Sequence, residues 1–316
     1  MVDKIAFLFP GQGSQYVGMG RSSYDQSAVV RDLFHKANEL LGHPLTEIMF
    51  NGPDEKLKET AITQPALFLA SVGALVLLQD KGIKPDFTAG HSLGEYSALY
   101  AAGALSFEDT LKLVHQRGKA MQKAGQDQPG SMAAILGLPG TKVADLCLAV
   151  STSTEPCSAA NYNSETQTVI SGTQKSVQAV MDRAISEGAL KVVPLNVSGA
   201  FHSALMQPAA DTMKSLFEST SFLNTKIPVI TNVDAIPTTD ANSIKKKLYE
   251  QIVHSVQWLD TMRQLTLLGV DIFIEVGSGR VLSTLVKKFD RSKSTLWTDD
   301  TQSIEKKFST APSQLK

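Results

Sequence analysis

The sequence holds only two cysteines in 316 residues, Cys147 and Cys157. That is too few for a disulfide framework, and their spacing is not that of a zinc site, so a reducing compartment is expected and no metal. No charge of either sign dominates: 30 Lys and Arg stand against 31 Asp and Glu, for a net charge of −1. A chain so balanced lacks the basic excess that draws a protein to nucleic acid or an anionic membrane. Nor is there a long hydrophobic run. Residues 5–9 are too few for a signal-peptide core, and residues 65–78 carry Ser71 and Gly73 and fall short of a membrane span. Internal repeats and low-complexity tracts are missing, and no interface signature marks an oligomer. The expectation is a soluble, cytoplasmic monomer that binds neither nucleic acid nor membrane.

What is present is alternation of short apolar strands with amphipathic helices. The apolar run at 5–9 stops at Pro10-Gly11 and reads as a buried strand. A helix follows at 28–41, with Val30, Leu33, Phe34, Ala37, Leu40 and Leu41 on one face. Residues 65–79 are apolar nearly all round, which predicts a helix in the middle of the fold. Another buried strand is expected at 271–276, followed by a glycine turn and a helix. This order predicts an α/β fold with a mostly parallel sheet. Residues 130–198 have a different rhythm: strand 131–138, helix 140–150, strands 158–163 and 168–171, helix 173–187, strand 189–197. The order βαββαβ is that of a ferredoxin-like module. Read as an insertion, it leaves residues 1–129 and 199–316 as one large domain, with 130–198 as the small one. The polar tail from Thr301 is expected to be loosely held.

The segment "TAGHSLGEYSALYAAG" places Ser92 between Gly90 and Gly94, and residues 93–102 read as a helix closed by Gly103. Glycines two residues either side of a serine allow the sharp strand-to-helix turn that lifts a nucleophile clear of its neighbours, though a plain structural turn has the same pattern. A serine hydroxyl needs a base. Of six histidines, His35 and His43 read as solvated and His115 as lying on the polar side of its helix. His254 reads as a surface or capping group, and His91 is beside Ser92, where side chains point apart. His202, in "VSGAFHSALM", stands where the insertion rejoins the large domain. It is either the base or the cap of the helix from Ser203. The backbone N–H of Leu93, at a helix N-terminus, is a candidate oxyanion donor, and the loop "PGQGSQ" could bring a second. A phosphate-cradling loop competes there, without the G-K-[ST] that would support it. Arg117 falls within the apolar stripe Leu113, Val114, Ala120 and Met121 of a helix expected at 106–123. It is either salt-bridged or snorkelling, or it is a fork for a substrate carboxylate.

Together these residues resemble the malonyl-CoA:acyl carrier protein transacylase family. The resemblance rests on "FPGQGSQYVGMG", "TQPALFLASVGAL", "AGHSLGEYSAL", "RGKAMQ", "GSMAAILG", "NYNSETQTVISG", "FHSALM" and "EVGSGRVL", in that order along the chain. It implies an α/β-hydrolase-like large domain with an inserted ferredoxin-like domain. By the same resemblance Ser92 is the acylated nucleophile, His202 its base, and the backbone N–H groups of Gln12 and Leu93 the oxyanion hole. Arg117 would hold the malonyl carboxylate, Gln64 line the pocket, and a backbone carbonyl at Gln251 orient the histidine. The resemblance further implies that no cofactor is permanently bound, that malonyl-CoA is the substrate, and that the partner is an acyl carrier protein bearing a phosphopantetheine arm. Gly199 stands where related polyketide acyltransferases often have histidine, while Phe201 remains and favours malonyl over its methyl-branched homologue. Ser255 and Ser278 replace usual prolines. A proofreading acyl hydrolase and a non-catalytic docking subunit are the alternatives; Arg117 speaks against the first, and intact Ser92 and His202 against the second. Lys245–Lys247, or Lys287, Lys288 and Arg291, could meet an acidic carrier protein.

Overall fold

A computed structural model describes residues 3–299, so the tail from Thr301 lies outside the described residues. The strands in chain order are β1 (Lys4–Phe9), β2 (Phe87–Gly90), β3 (Ser131–Leu136), β4 (Cys157–Ser164) and β5 (Gln167–Gly172). They continue with β6 (Lys191–Pro194), β7 (Val229–Ile230), β8 (Pro237–Thr238), β9 (Val270–Glu275) and β10 (Ser294–Trp297). Six of them form one sheet in the order β10-β9-β1-β2-β7-β8. All its pairings are parallel except the edge pair β7–β8. A parallel sheet is covered on both faces, which is why β1 reads as an unbroken apolar run.

The helix Thr60–Asp80 is 21 residues long with a mean hydropathy of 1.9 over its most apolar window, enough by length and composition to cross a membrane. Its composition has another cause here: 89% of that window is buried within the protein. It packs along the helix Phe107–Asp127, and both belong to the main core with Phe7, Phe9, Phe34 and Phe68. Phe107–Asp127 runs four residues past the expected end at 123, and His115 turns inward rather than outward, with its ring 5.6 Å from that of His43.

The remaining four strands form an antiparallel sheet in the order β4-β5-β3-β6. With the helices Gly140–Val150 and Gln174–Ser186 on one face, this is the βαββαβ arrangement read from the sequence. Strand alternation explains how the sheet sits on the rest. Ala133 and Ile135 of β3 face Val143, Leu146, Val177 and Val180 in a small core of their own. Met132 and Ala134, pointing the other way, join the main core. The strand expected at 189–197 is shorter, Lys191–Pro194.

Strand β2 leads straight into the turn at Ser92, whose φ of 52° is left-handed, and then into the helix Gly94–Ala101. The two flanking glycines are there for space. A Cβ on Gly90 would lie 1.9 Å from the carbonyl carbon of Gly94, and one on Gly94 would lie 2.0 Å from the carbonyl oxygen of Phe9. Both obstacles are backbone and cannot swing aside. Gly94→Ala is therefore expected to cost about 3 kcal/mol or more, read as a lower urea midpoint with unchanged m-value; an unchanged midpoint would contradict this account of the turn.

Candidate active site

The left-handed backbone at Ser92 is unusual for a residue with a side chain, and His202 shares it with a φ of 57°. Each is held by groups distant in sequence, Ser92 by side chains and His202 by a main-chain carbonyl. The Ser92 N–H donates to Oδ1 of Asn232 at 2.7 Å, and Nδ2 of the same amide donates to the Gly90 carbonyl at 2.7 Å. Asn232, just beyond β7, thus ties both ends of the turn. Gln251, the last residue of the helix Ala241–Gln251, donates from Nε2 to the Ser92 carbonyl at 2.9 Å.

Around the Ser92 hydroxyl two groups converge. His202 Nε2 is 2.7 Å from Ser92 Oγ, and His202 Nδ1 is 2.8 Å from the Gln251 carbonyl oxygen. A carbonyl only accepts, so Nδ1 carries the hydrogen and the Nε2 lone pair faces the serine. Burial, and next the charge of Arg117, push the His202 pKa down to about 3, so the ring is neutral. Arg117 reaches the same oxygen from the other side, with Nη2 at 3.0 Å from Ser92 Oγ.

Arg117 is only 1% exposed. Its hydrogen-bond acceptors are neutral: Gln64 Oε1 at 2.9 Å, Gln251 Oε1 at 2.9 Å and the serine. The guanidinium also lies 5.5 Å from the centre of the Tyr96 ring. Burial lowers its pKa, opposed by the charges of Tyr96 and Glu95. The salt bridge and the snorkelling stem considered from the sequence are thus both replaced by a buried fork held on glutamines. Gln64, expected to line the pocket, meets Arg117 directly.

Leu93 is the N-cap of the helix Gly94–Ala101, so its N–H lies at the positive end. Gln12, in the loop after β1, borders a cavity of about 780 Å³ with Gly11 and His91. Ala134, Asn161, Asn163 and Val169 close that cavity from the antiparallel sheet, so it lies between the two sheets and reaches His91, the residue before Ser92. His91 spans it, with Nε2 2.9 Å from Asn163 Oδ1, and does not serve Ser92. Phe201 is buried in the main core one residue before His202. Among the described residues there is no group of three or more His, Cys, Asp or Glu that could hold a metal.

Two site residues escaped the sequence reading. Asn232 has no local signature and is found only through the fold. Glu95 sits within the "AGHSLGEYSAL" stretch and was passed over; it is buried, and its Oε2 accepts from Gln251 Nε2 at 2.7 Å and from the Asn232 N–H at 3.3 Å.

A serine on a strand-to-helix turn, a neutral histidine and a buried arginine on one oxygen are the equipment of acyl transfer rather than of nucleotide binding. Similarity to known proteins points the same way. The chain is 44% identical over 304 residues to the malonyl CoA-acyl carrier protein transacylase of Bacillus subtilis strain 168, covering 96% of each. The acyl-carrier-protein-S-malonyltransferase of Bartonella henselae superposes with a TM-score of 0.92 at 39% identity, over 97% of this chain and 99% of that one. A malonyl-transacylase solved in complex with its type II polyketide synthase acyl-carrier protein gives 0.93 at 38% identity, over 97% and 99%. The acyl transferase domain family matches residues 6–303, nearly the whole length that carries this geometry, and the chain belongs to that family.

Proposed function

We propose that the protein transfers malonyl from coenzyme A to the phosphopantetheine thiol of an acyl carrier protein through a malonyl-serine. The observation that carries this reading is Arg117, buried, charged and bonded only to neutral acceptors, 3.0 Å from the serine oxygen. A carboxylate is the partner a buried guanidinium fork most favours, and malonyl is an acyl group that ends in one.

In the first half-reaction His202 Nε2 takes the proton of Ser92 as Oγ bonds to the thioester carbonyl carbon. The oxyanion is met by the backbone N–H groups of Leu93 and Gln12. Collapse breaks the carbon–sulfur bond, and the imidazolium returns its proton to the departing coenzyme A thiolate. In the second half-reaction the carrier thiol gives its proton to His202 and attacks the malonyl-serine, and the same steps run in reverse. No cofactor or metal enters these steps. The catalytic unit we assign is residues 1–129 with 199–316, the insertion 130–198 forming the far wall of the cleft, and the setting is a monomer in the cytoplasm. Phe201 would disfavour a branch methyl on the substrate. A hydrolase or a docking subunit would have no use for Arg117 aimed at the nucleophile.

Of the two basic patches, Lys245–Lys247 is already engaged. Lys247 is bound to Asp234 at 2.8 Å and to Thr231 and Thr238, and Lys245 lies over the Phe222 ring. Lys287, Lys288 and Arg291 surround an open cavity of about 520 Å³, and Lys288 also borders the main cleft. Lys287 reaches the carbonyls of Arg291 and Lys293, and Lys288 the Gln167 amide, so these ammonium groups meet neutral acceptors rather than a carboxylate. An acidic carrier protein seated there would have its arm at the mouth of the cleft.

Intact-protein mass after mixing with malonyl-CoA tests the chemistry. The expected result is one malonyl adduct, absent in Ser92→Ala, that moves to the carrier protein when it is added. Decay to free malonate with an empty carrier would instead support the hydrolase. In Arg117→Ala, malonyl use should fall by ~10² or more while acetyl use rises; an unchanged malonyl preference would remove the carboxylate assignment. Charge reversal at Lys287, on the outer cavity, should raise KM for the carrier protein roughly tenfold and change KM for malonyl-CoA much less. Equal carrier kinetics would exclude that face.

A further inference from the structure

Gln251 is the residue through which the site is joined. Its side-chain oxygen accepts from Arg117, its side-chain nitrogen donates to the Ser92 carbonyl and to Glu95, and its backbone carbonyl accepts from His202. The amide could be turned over about its last bond without changing shape. Turned over, it would set its NH₂ against the guanidinium of Arg117, donor against donor. Its oxygen would then face the Glu95 carboxylate and the Ser92 carbonyl, acceptor against acceptors. Arg117, which only donates, and the Ser92 carbonyl, which only accepts, disfavour that sense, and an ionised Glu95 adds the charge-assisted acceptor that closes it off.

We infer that Glu95 is a positioning residue for the reaction: by fixing the amide sense of Gln251 it holds Arg117 and His202 on Ser92. The inference rests on the transacylase reading only for the substrate that the site serves. Glu95 also accepts from the Asn232 N–H at 3.3 Å, and the Asn232 side chain ties the serine turn. Hence one carboxylate contacts both residues that hold Ser92 in its left-handed conformation. Its second effect is charge. Glu95 is the anion nearest in the network to the buried guanidinium, one amide away.

This hold depends on pH. Burial pushes the Glu95 pKa up to about 7, opposed by the Gln251 bond, the Asn232 N–H and the Arg117 charge, and assisted by Asp234. Asp234 is itself paired with Lys247, on the helix that ends at Gln251. The competent form is the carboxylate, so activity falls as pH drops through about 7. His202, titrating near 3, remains a free base through that range and cannot account for such a fall.

The test reads Ser92 directly, with a fluorophosphonate that phosphonylates the serine and releases fluoride, alongside malonyl- and acetyl-CoA. The wild-type chain should label with a midpoint near pH 7. Glu95→Gln keeps the shape but removes the charged acceptor, leaving Arg117 and the Ser92 carbonyl alone to hold the amide of Gln251. It should label about tenfold more slowly at pH 8, lose the midpoint, and show a malonyl-to-acetyl preference reduced about tenfold. Labelling by Glu95→Gln at the wild-type rate, or a slower rate that keeps the wild-type midpoint, overturns the inference. Should that variant not fold, Glu95→Asp carries the test: the shorter carboxylate must shift the midpoint, and an unshifted profile overturns it equally. A wild type that takes no malonyl yet loses its labelling midpoint in the variant sinks the transacylase reading and leaves this one standing.

Discussion

A buried guanidinium that meets no carboxylate among the described residues is the constraint around which the site is arranged. Removing a cation from water costs several kcal/mol unless its hydrogens are met. Arg117 offsets part of that cost at Nη1 and Nη2 with neutral acceptors, two glutamines and a hydroxyl, and with the face of Tyr96, while its Nε–H has no acceptor among the described residues. Neutral acceptors leave the charge uncancelled. An internal Asp or Glu in place of Gln64 or Gln251 would make the fold more comfortable and would compete with a substrate carboxylate. Glu95 stands one amide further off, close enough to moderate the charge and too far to take the fork.

The same residues explain how two backbone strains are sustained. Ser92 and His202 both occupy the left-handed region, at a cost of about 1–3 kcal/mol each. Asn232 holds the serine from both sides, while Gln251 holds Ser92 by its side chain and His202 by its main chain. These anchors come from the end of the sheet and from a helix after the insertion, so the turn is secured only once the whole large sheet is assembled. The helices Thr60–Asp80 and Phe107–Asp127, packed on each other in the main core, carry Gln64 and Arg117 to the same point. Position at this site is set by long-range packing, with the glycines merely permitting it.

That division marks what could be read beforehand. The Gly90-x-Ser92-x-Gly94 turn is local, so its glycines announce it, and the alternation of apolar runs announces the parallel sheet and the βαββαβ insertion. Arg117 is visible because a cation in an apolar stripe conflicts with its helix face. His202 is reachable by elimination among the histidines, and Gln251 by resemblance. Asn232 belongs to no local pattern: its role exists only because β7 pairs with β2 and brings the following residue under the turn. Glu95 looks like an ordinary acidic residue in a first helical turn, where carboxylates are common; only burial separates it from the others. His115 is misread because a polar residue at helical spacing defaults to the outside, whereas here the ring packs beside His43.

The absence of a carboxylate behind His202 fits a particular kind of leaving group. An imidazole that is buried, with Arg117 nearby and only a carbonyl to support its charged form, has little affinity for a proton. Such a base activates serine weakly and would serve poorly against an amide, whose unreactive carbonyl needs a nucleophile whose proton is taken by a well-supported imidazole. A thioester asks less, since its carbonyl is more reactive and a thiolate departs readily. In the proposed reaction the substrate also alters the base. A malonyl carboxylate on Arg117 would cancel the charge that depresses His202, raising its proton affinity when the correct acyl group is in place. An acetyl group would leave that charge uncancelled and the base weak. Discrimination then acts on the chemical step as well as on binding, and it follows from placing the carboxylate-binding group within hydrogen-bond distance of the nucleophile.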